Sequence, residues 1–258
     1  MILSNISTPL VGAVDTAVVG HLPEVHHIGA VALGALVFSF LYWGFGFLKM
    51  GATGFVAQAY GARNESLVDE HLLRFILLGL GFGLLVIALG RPLVYLAMEL
   101  VDSSANVETL AREYSLIRIW SAPATLSVYV FTGVFIGLHN TRYALYLQLV
   151  LNLTNIFLDL LFVPVLEYGV PGVAWATVIA EYGAALFGAF LLRSHLLTAW
   201  QQVPRSRLLD VPSLKSMAST NANIFIRTIC LVFAFAFFTA QSARLGDCLL
   251  YTSDAADE

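Results

Sequence analysis

The residues best suited to chemistry lie in the stretch 152–177, NLTNIFLDLLFVPVLEYGVPGVAWAT, where an acid and several oxygen-bearing side chains interrupt apolar sequence. On a helix, Asn152, Asn155 and Asp159 fall at i, i+3 and i+7 and share one face, with Leu and Phe covering the rest. An ionised Asp at the centre of a lipid-spanning helix costs about 2.5–3.5 kcal/mol, so such residues face a bundle interior or a wet cavity. This pattern reads as an ion site within a membrane; the competing reading is a carboxylate near a helix end that reaches headgroup water. A second acid, Asp15, stands in VDTAVVGHL just before the polar HLPEVHH, and its competing reading is an interfacial carboxylate. Upstream of it, Pro9 clashes with the carbonyl of Asn5 and predicts a kink in the first span. Asn5, Pro9, Lys49 and Asn152 are candidate cavity or gate residues.

Composition supplies the solvent for these side chains. With 59% hydrophobic and only 12% charged residues and a mean hydropathy of +0.81, the chain carries more apolar surface than a soluble core could hide. It is expected to be an all-α integral membrane protein. The 20 Gly and 8 Pro suit packed transmembrane helices. Cys230 and Cys248 are scattered, and His21, His26 and His27 sit in a short connection without a carboxylate framework, so neither a disulfide scaffold nor a bound metal is indicated.

The elements that must position the acids follow in order. Residues 2–20 form a first apolar span without a convincing cleavage site. The second, 28–60, exceeds the ~20 residues a bilayer needs and should tilt or project; in it Gly44, Gly46, Gly51 and Gly54 read as packing contacts, and Lys49 either snorkels or pairs with an acid. GARNESLVDEH is read as a polar break leading to a third span over 72–98, interrupted by Arg91 and Pro92. The fourth carries Pro123 in its middle, with Arg112, Glu113 and Arg118 on a solvated or interfacial surface. The fifth and sixth, 143–166 and 170–192, are joined by the EYGVPG turn. The expected organisation is a six-helix lobe over 1–195, a cytoplasmic linker over 196–212, and the first helix of a second lobe over 213–247.

Basic residues set the orientation. Arg63, Arg74, Arg142, Arg193, Arg205, Arg207 and Lys215 flank one side, against Arg91, Arg112 and Arg118 on the other, which places the N-terminus in the cytoplasm. At 1.5 Å per residue Asp15, Asp159 and Thr177 then reach a similar depth, about 8–10 Å below the outer surface, in favour of one shared cavity.

Four motifs in order, ISTPLVGAVDTAVVGHL, FLKMGATGFVAQAYGA, LVLNLTNIFLDLLFV with GVPGVAWATVIAEY, and NANIFIRTICLVFAFAFFTAQSARLGD, resemble the multidrug and toxic compound extrusion (MATE) transporters, within them the DinF-like branch. The resemblance covers about residues 1–247 and implies roughly twelve helices in two lobes around a central cleft. It also implies exchange of Na+ or H+ for cationic or amphipathic organic compounds, with no other cofactor. By motif, the family's cation or proton site falls on Asp15, Asn155, Asp159 and Thr177, all oxygen-bearing, as a hard cation requires. One departure is GLHNTR, where Asn140 replaces an acid more usual in relatives.

The expected protein is therefore a secondary antiporter of a bacterial inner membrane, multi-pass and not an enzyme. Its partners are a small organic substrate and membrane lipids, not nucleic acid, and it is expected to be monomeric at full length. A lipid-linked oligosaccharide flippase of the same superfamily is the alternative. An intramembrane aspartyl protease is disfavoured because Val14 and Leu158 precede the two acids. The final residues, 248–258, read CLLYTSDAADE, a polar tail expected to be non-native and to stand where a second lobe is missing.

Overall fold

The structure is a computed structural model and describes residues 20, 25–99, 104–208 and 210–244. Asn5, Pro9, Asp15 and His21, with all of the first span except Gly20, lie outside the described residues. The described residues form helices and turns without a strand, the all-α class expected from composition. In chain order the helices are α1 (Val25–Gly44), α2 (Gly46–Gly61), α3 (Glu65–Ala88), α4 (Gly90–Glu99), α5 (Ala105–Arg118), α6 (Ala122–Gly137), α7 (Thr141–Phe162), α8 (Gly169–Leu191), α9 (Arg193–Gln202), α10 (Arg205–Leu208) and α11 (Val211–Arg244). Among the described residues, six stretches are long and apolar enough to cross a membrane: His26–Gly61, Glu65–Ala88, Ala105–Gly137, Thr141–Phe162, Gly169–Leu191 and Ser206–Ala234. The chain divides into two compact units, Met1–Asp210 and Val211–Glu258; of the second, α11 is the described part, with Asn221, Asn223 and Arg227 in its first half.

The core of the first unit is α6. It is apolar on all sides, as a helix enclosed by others must be, and it packs against α2, α3, α7 and α8. Its approach to α2 needs the bare backbone of Gly133, where a methyl group would strike the carbonyl oxygen of Lys49. Other close-packed glycines stand on α1, α3, α4 and α8, at Gly34, Gly83, Gly90 and Gly188. A methyl at Gly44, Gly46 or Gly54 would meet open space, contrary to the expectation that these line a close interface. Small residues in an apolar helix face lipid as readily as a neighbour, and sequence alone does not say which.

Several boundaries also differ from the sequence expectation. The second span breaks at Phe45 into α1 and α2, and the third breaks at Leu89 rather than at Arg91 and Pro92. Proline is tolerated in a first helical turn, where its missing N–H has no partner to lose, so Pro92 and Pro123 open helices instead of bending them. His26 and His27 belong to the first turn of α1, not to a loop.

Two turns at one end of the unit are near copies. After α2, Arg63 takes a left-handed φ of 55° and Asn64 N–H returns to the Ala59 carbonyl. After α6, His139 takes φ 57° and Asn140 N–H returns to the Phe135 carbonyl. These bonds satisfy carbonyls that a helix C-terminus leaves open. The Tyr60 and His139 rings meet with centroids 5.9 Å apart, so the turns lie side by side.

Candidate functional site

Helix α7 is amphipathic in the reverse sense of a soluble helix. Its buried side chains are Leu147, Asn152, Asn155 and Asp159, whereas Leu149, Leu153, Phe157 and Leu160 are exposed. In water this arrangement would be costly on both faces. In lipid it is favourable, because the apolar stripe needs no burial while the polar one does. The one-face spacing of Asn152, Asn155 and Asp159 is therefore present as a geometric fact, and that face points into the unit.

Helix α8 meets this face. The Asn155 amide donates to the Thr177 hydroxyl at 3.3 Å, and Thr177 in turn donates to the Val173 carbonyl one turn back at 3.0 Å. Asp159 is fully buried, one turn beyond Asn155. Gln148 donates to Asn152 at 2.9 Å, which leaves the buried Asn152 Nδ2 without a hydrogen-bond acceptor among the described residues. The structure thus places Asn152, Asn155 and Asp159 on one inward face and joins Asn155 to Thr177. Asp15, Asn5 and Pro9 lie outside the described residues, so their distance from this cluster is not part of the geometry. Lys49 stands apart: its side chain is exposed on α2, and it is in none of the ion pairs among the described residues.

A second buried polar cluster escaped the sequence reading. Glu181, one turn after Thr177 on α8, is buried and takes a hydrogen bond from the Thr125 hydroxyl of α6. It pairs with the Arg118 guanidinium at 3.5 Å. Against the expectation of a solvated or interfacial surface, the Arg118 side chain is 13% exposed and lies over the Phe38 ring at 5.2 Å. The Tyr42 and Ser121 hydroxyls, 3.2 Å apart, extend the cluster to α1. The available signal was a charged residue at each of two positions inside otherwise apolar spans, IRIWSAPA and ATVIAEYG.

A third group lies where GARNESLVDEH was read as a break. That segment starts α3, capped by the Asn64 side chain accepting from Leu67 N–H at 3.1 Å. Asp69, Glu70, His71 and Arg74 are all buried there. Asp69 meets His195 of α9 at 2.7 Å. Arg74 pairs with Glu70 at 2.5 Å and donates to the carbonyls of Arg207 and Leu208. A cavity of about 340 Å³ opens beside it, lined by Glu70, Arg74, Ser206, Arg207 and Asp210. Among the described residues no group of three or more His, Cys, Asp or Glu is placed to hold a metal ion.

The MatE family profile matches residues 1–161. Over 256 residues the chain is 39% identical to DNA damage-inducible protein F of Escherichia coli (strain K12), covering 95% of this chain and 54% of that protein. It is 28% identical over 188 residues to the probable multidrug resistance protein NorM of Thermotoga maritima, covering 70% and 40% respectively. The fold matches a solved MOP superfamily transporter from Pyrococcus furiosus with a TM-score of 0.82 at 21% identity, over 99% of this chain and 57% of that one. The chain spans about half the length of the curated relatives it matches.

Proposed function

The chain belongs to the MatE family, and from that premise we propose that it forms the ion-coupling half of a secondary antiporter. In this reading cationic or amphipathic organic compounds are exported in exchange for Na+ or H+. The observation that carries it is the inward face of α7, with Asp159 fully buried and Asn155 joined to Thr177. A carboxylate beside neutral amide and hydroxyl groups offers what a hard cation takes, oxygen ligands with a compensating charge. A carboxylate can equally carry a proton, so the face suits either coupling ion. Asp15 would complete the site from the first span.

Exchange requires that ion and drug change each other's affinity by the same factor. Binding at the α7–α8 contact can alter how those helices pack and so reshape the wall a drug meets. The name of the Thermotoga maritima relative, a probable multidrug resistance protein, supports a drug or toxin as cargo over a lipid-linked oligosaccharide. The excess of Arg and Lys flanking the α2–α3, α6–α7 and α8–α11 connections supports a bacterial inner-membrane location with those connections in the cytoplasm.

The test is drug efflux from vesicles carrying the full-length transporter, with Na+ and pH gradients imposed separately. Gradient-driven efflux that Asp159→Asn abolishes is the expected result. Undiminished gradient-driven efflux from that variant, at equal membrane expression, would return Asp159 to a structural role.

A further inference from the structure

The fourth span is not one helix. α5 stops at Arg118, a 3-10 turn covers Ile119–Ser121, and α6 restarts with Pro123 in its first turn. Where one helix ends and the next restarts, the last carbonyls lack their ordinary helical donors. Side chains make up part of the shortfall: Ser121 Oγ donates to the Arg118 carbonyl at 2.8 Å, and the single Thr125 hydroxyl proton is shared between the Ser121 carbonyl, at 3.0 Å, and Glu181. A third comes from another helix, where the Tyr182 hydroxyl of α8 donates to the Trp120 carbonyl at 3.0 Å.

Tyr182 is adjacent to Glu181, and Glu181 holds both Arg118 before the break and Thr125 after it. Two consecutive residues of α8 therefore stitch across one interruption in the neighbouring span. Arg118 keeps its charge at any physiological pH, and Glu181 stands against it as a counter-charge. Inside a membrane, sliding α8 along α5 and α6 would separate these two charges in a medium that does not solvate them. Removing one partner of a buried pair is strongly destabilising.

We propose that Arg118, Glu181 and Thr125 form a positioning clamp that sets the register of α8 against the α5–α6 break, and through it the height at which Thr177 meets Asn155. Thr177 lies one turn before Glu181 on the same side of the helix. A shift of α8 at the clamp therefore moves Thr177 relative to α7. The consequence for transport rests on the ion-coupling reading above; the register itself does not.

The experiment separates the two. In the full-length transporter with Cys230 and any other native cysteine replaced by Ser, Asn155→Cys and Thr177→Cys supply thiols whose oxidative cross-linking is followed by protection from a maleimide-linked polyethylene glycol. Arg118→Gln with Glu181→Gln removes both charges together and leaves neither unmatched. Cross-linking is expected to slow by about five-fold or more, the lower end of ordinary coupling energies. Thr125→Val keeps both charges and the side-chain volume, guards against failure of the double variant to fold, and should slow cross-linking by about two-fold. Cross-linking at the parent rate in Thr125→Val, or in a folded double variant, overturns the clamp. For transport, the same Thr125→Val change without the added cysteines should raise the ion concentration for half-maximal efflux while sparing the maximal rate. Slowed cross-linking with unchanged ion dependence supports the clamp and counts against the ion-coupling reading.

Discussion

Asp159 and Glu181 are both buried carboxylates on adjoining helices of one unit, yet their surroundings differ in kind. Beside Glu181 stand a guanidinium and the Thr125 hydroxyl, so its charge is cancelled within the protein. Beside Asp159 on the same face stand the amides of Asn152 and Asn155, with Thr177 across from Asn155; these offer oxygen ligands and no positive charge of their own. A buried acid that is neutralised in place holds helices together. In the reading proposed above, the acid on the face that carries amide and hydroxyl groups exchanges a cation or proton through those oxygen ligands. On that proposal the two acids do different work according to the groups around them, not according to residue type.

The largest expected effect separates the two acids directly. Asp159→Asn, and equally Asp15→Asn, should abolish ion-driven efflux while membrane insertion is retained, because losing an ionisable group eases insertion. Efflux in vesicles alongside membrane expression reads both.

Next comes the neutralised acid. Arg118→Gln alone leaves Glu181 without its counter-charge and should cost about 3–5 kcal/mol of stability, with most of it recovered when Glu181→Gln is added. Thermal unfolding in detergent is the readout. Equal loss in the single and double variants would break the comparison, since it would mean packing rather than charge is lost.

A packing control sharpens the same contrast. Gly133→Ala drives a methyl into the Lys49 carbonyl and should cost about 1–3 kcal/mol. Gly54→Ala, which points into open space, should stabilise by a few tenths to about 1 kcal/mol. Neither touches the charges, so the ion dependence of efflux should stay at the parent value in both.

The smallest effect is expected at Thr177→Ala. It removes one neutral ligand and its bond to Asn155, about 1 kcal/mol. The ion concentration for half-maximal efflux should rise several-fold with the maximal rate retained. Complete loss of efflux would mean that Thr177 does more than contribute one oxygen.

Sequence by itself determined the class of molecule and the candidate face. A charged fraction of 12% together with apolar runs of about twenty residues points to helices in lipid, and the spacing of Asn152, Asn155 and Asp159 was bound to put them on one side of any helix containing them. That this side points inward follows from lipid as solvent, and the structure agrees. Tertiary structure alone decided which helix meets which. Whether Arg118 reaches headgroups or pairs with Glu181, which lies 63 positions away, depends on α5 packing against α8. Whether a glycine faces lipid or a carbonyl depends on α6 standing at the centre. The charges opening α3 read as a polar break because a polar run ordinarily seeks water. Here α9 and α10 bury them with His195 and the Arg207 and Leu208 carbonyls as partners. Local pattern records what a residue prefers; which preference is met depends on long-range contacts that no single stretch encodes.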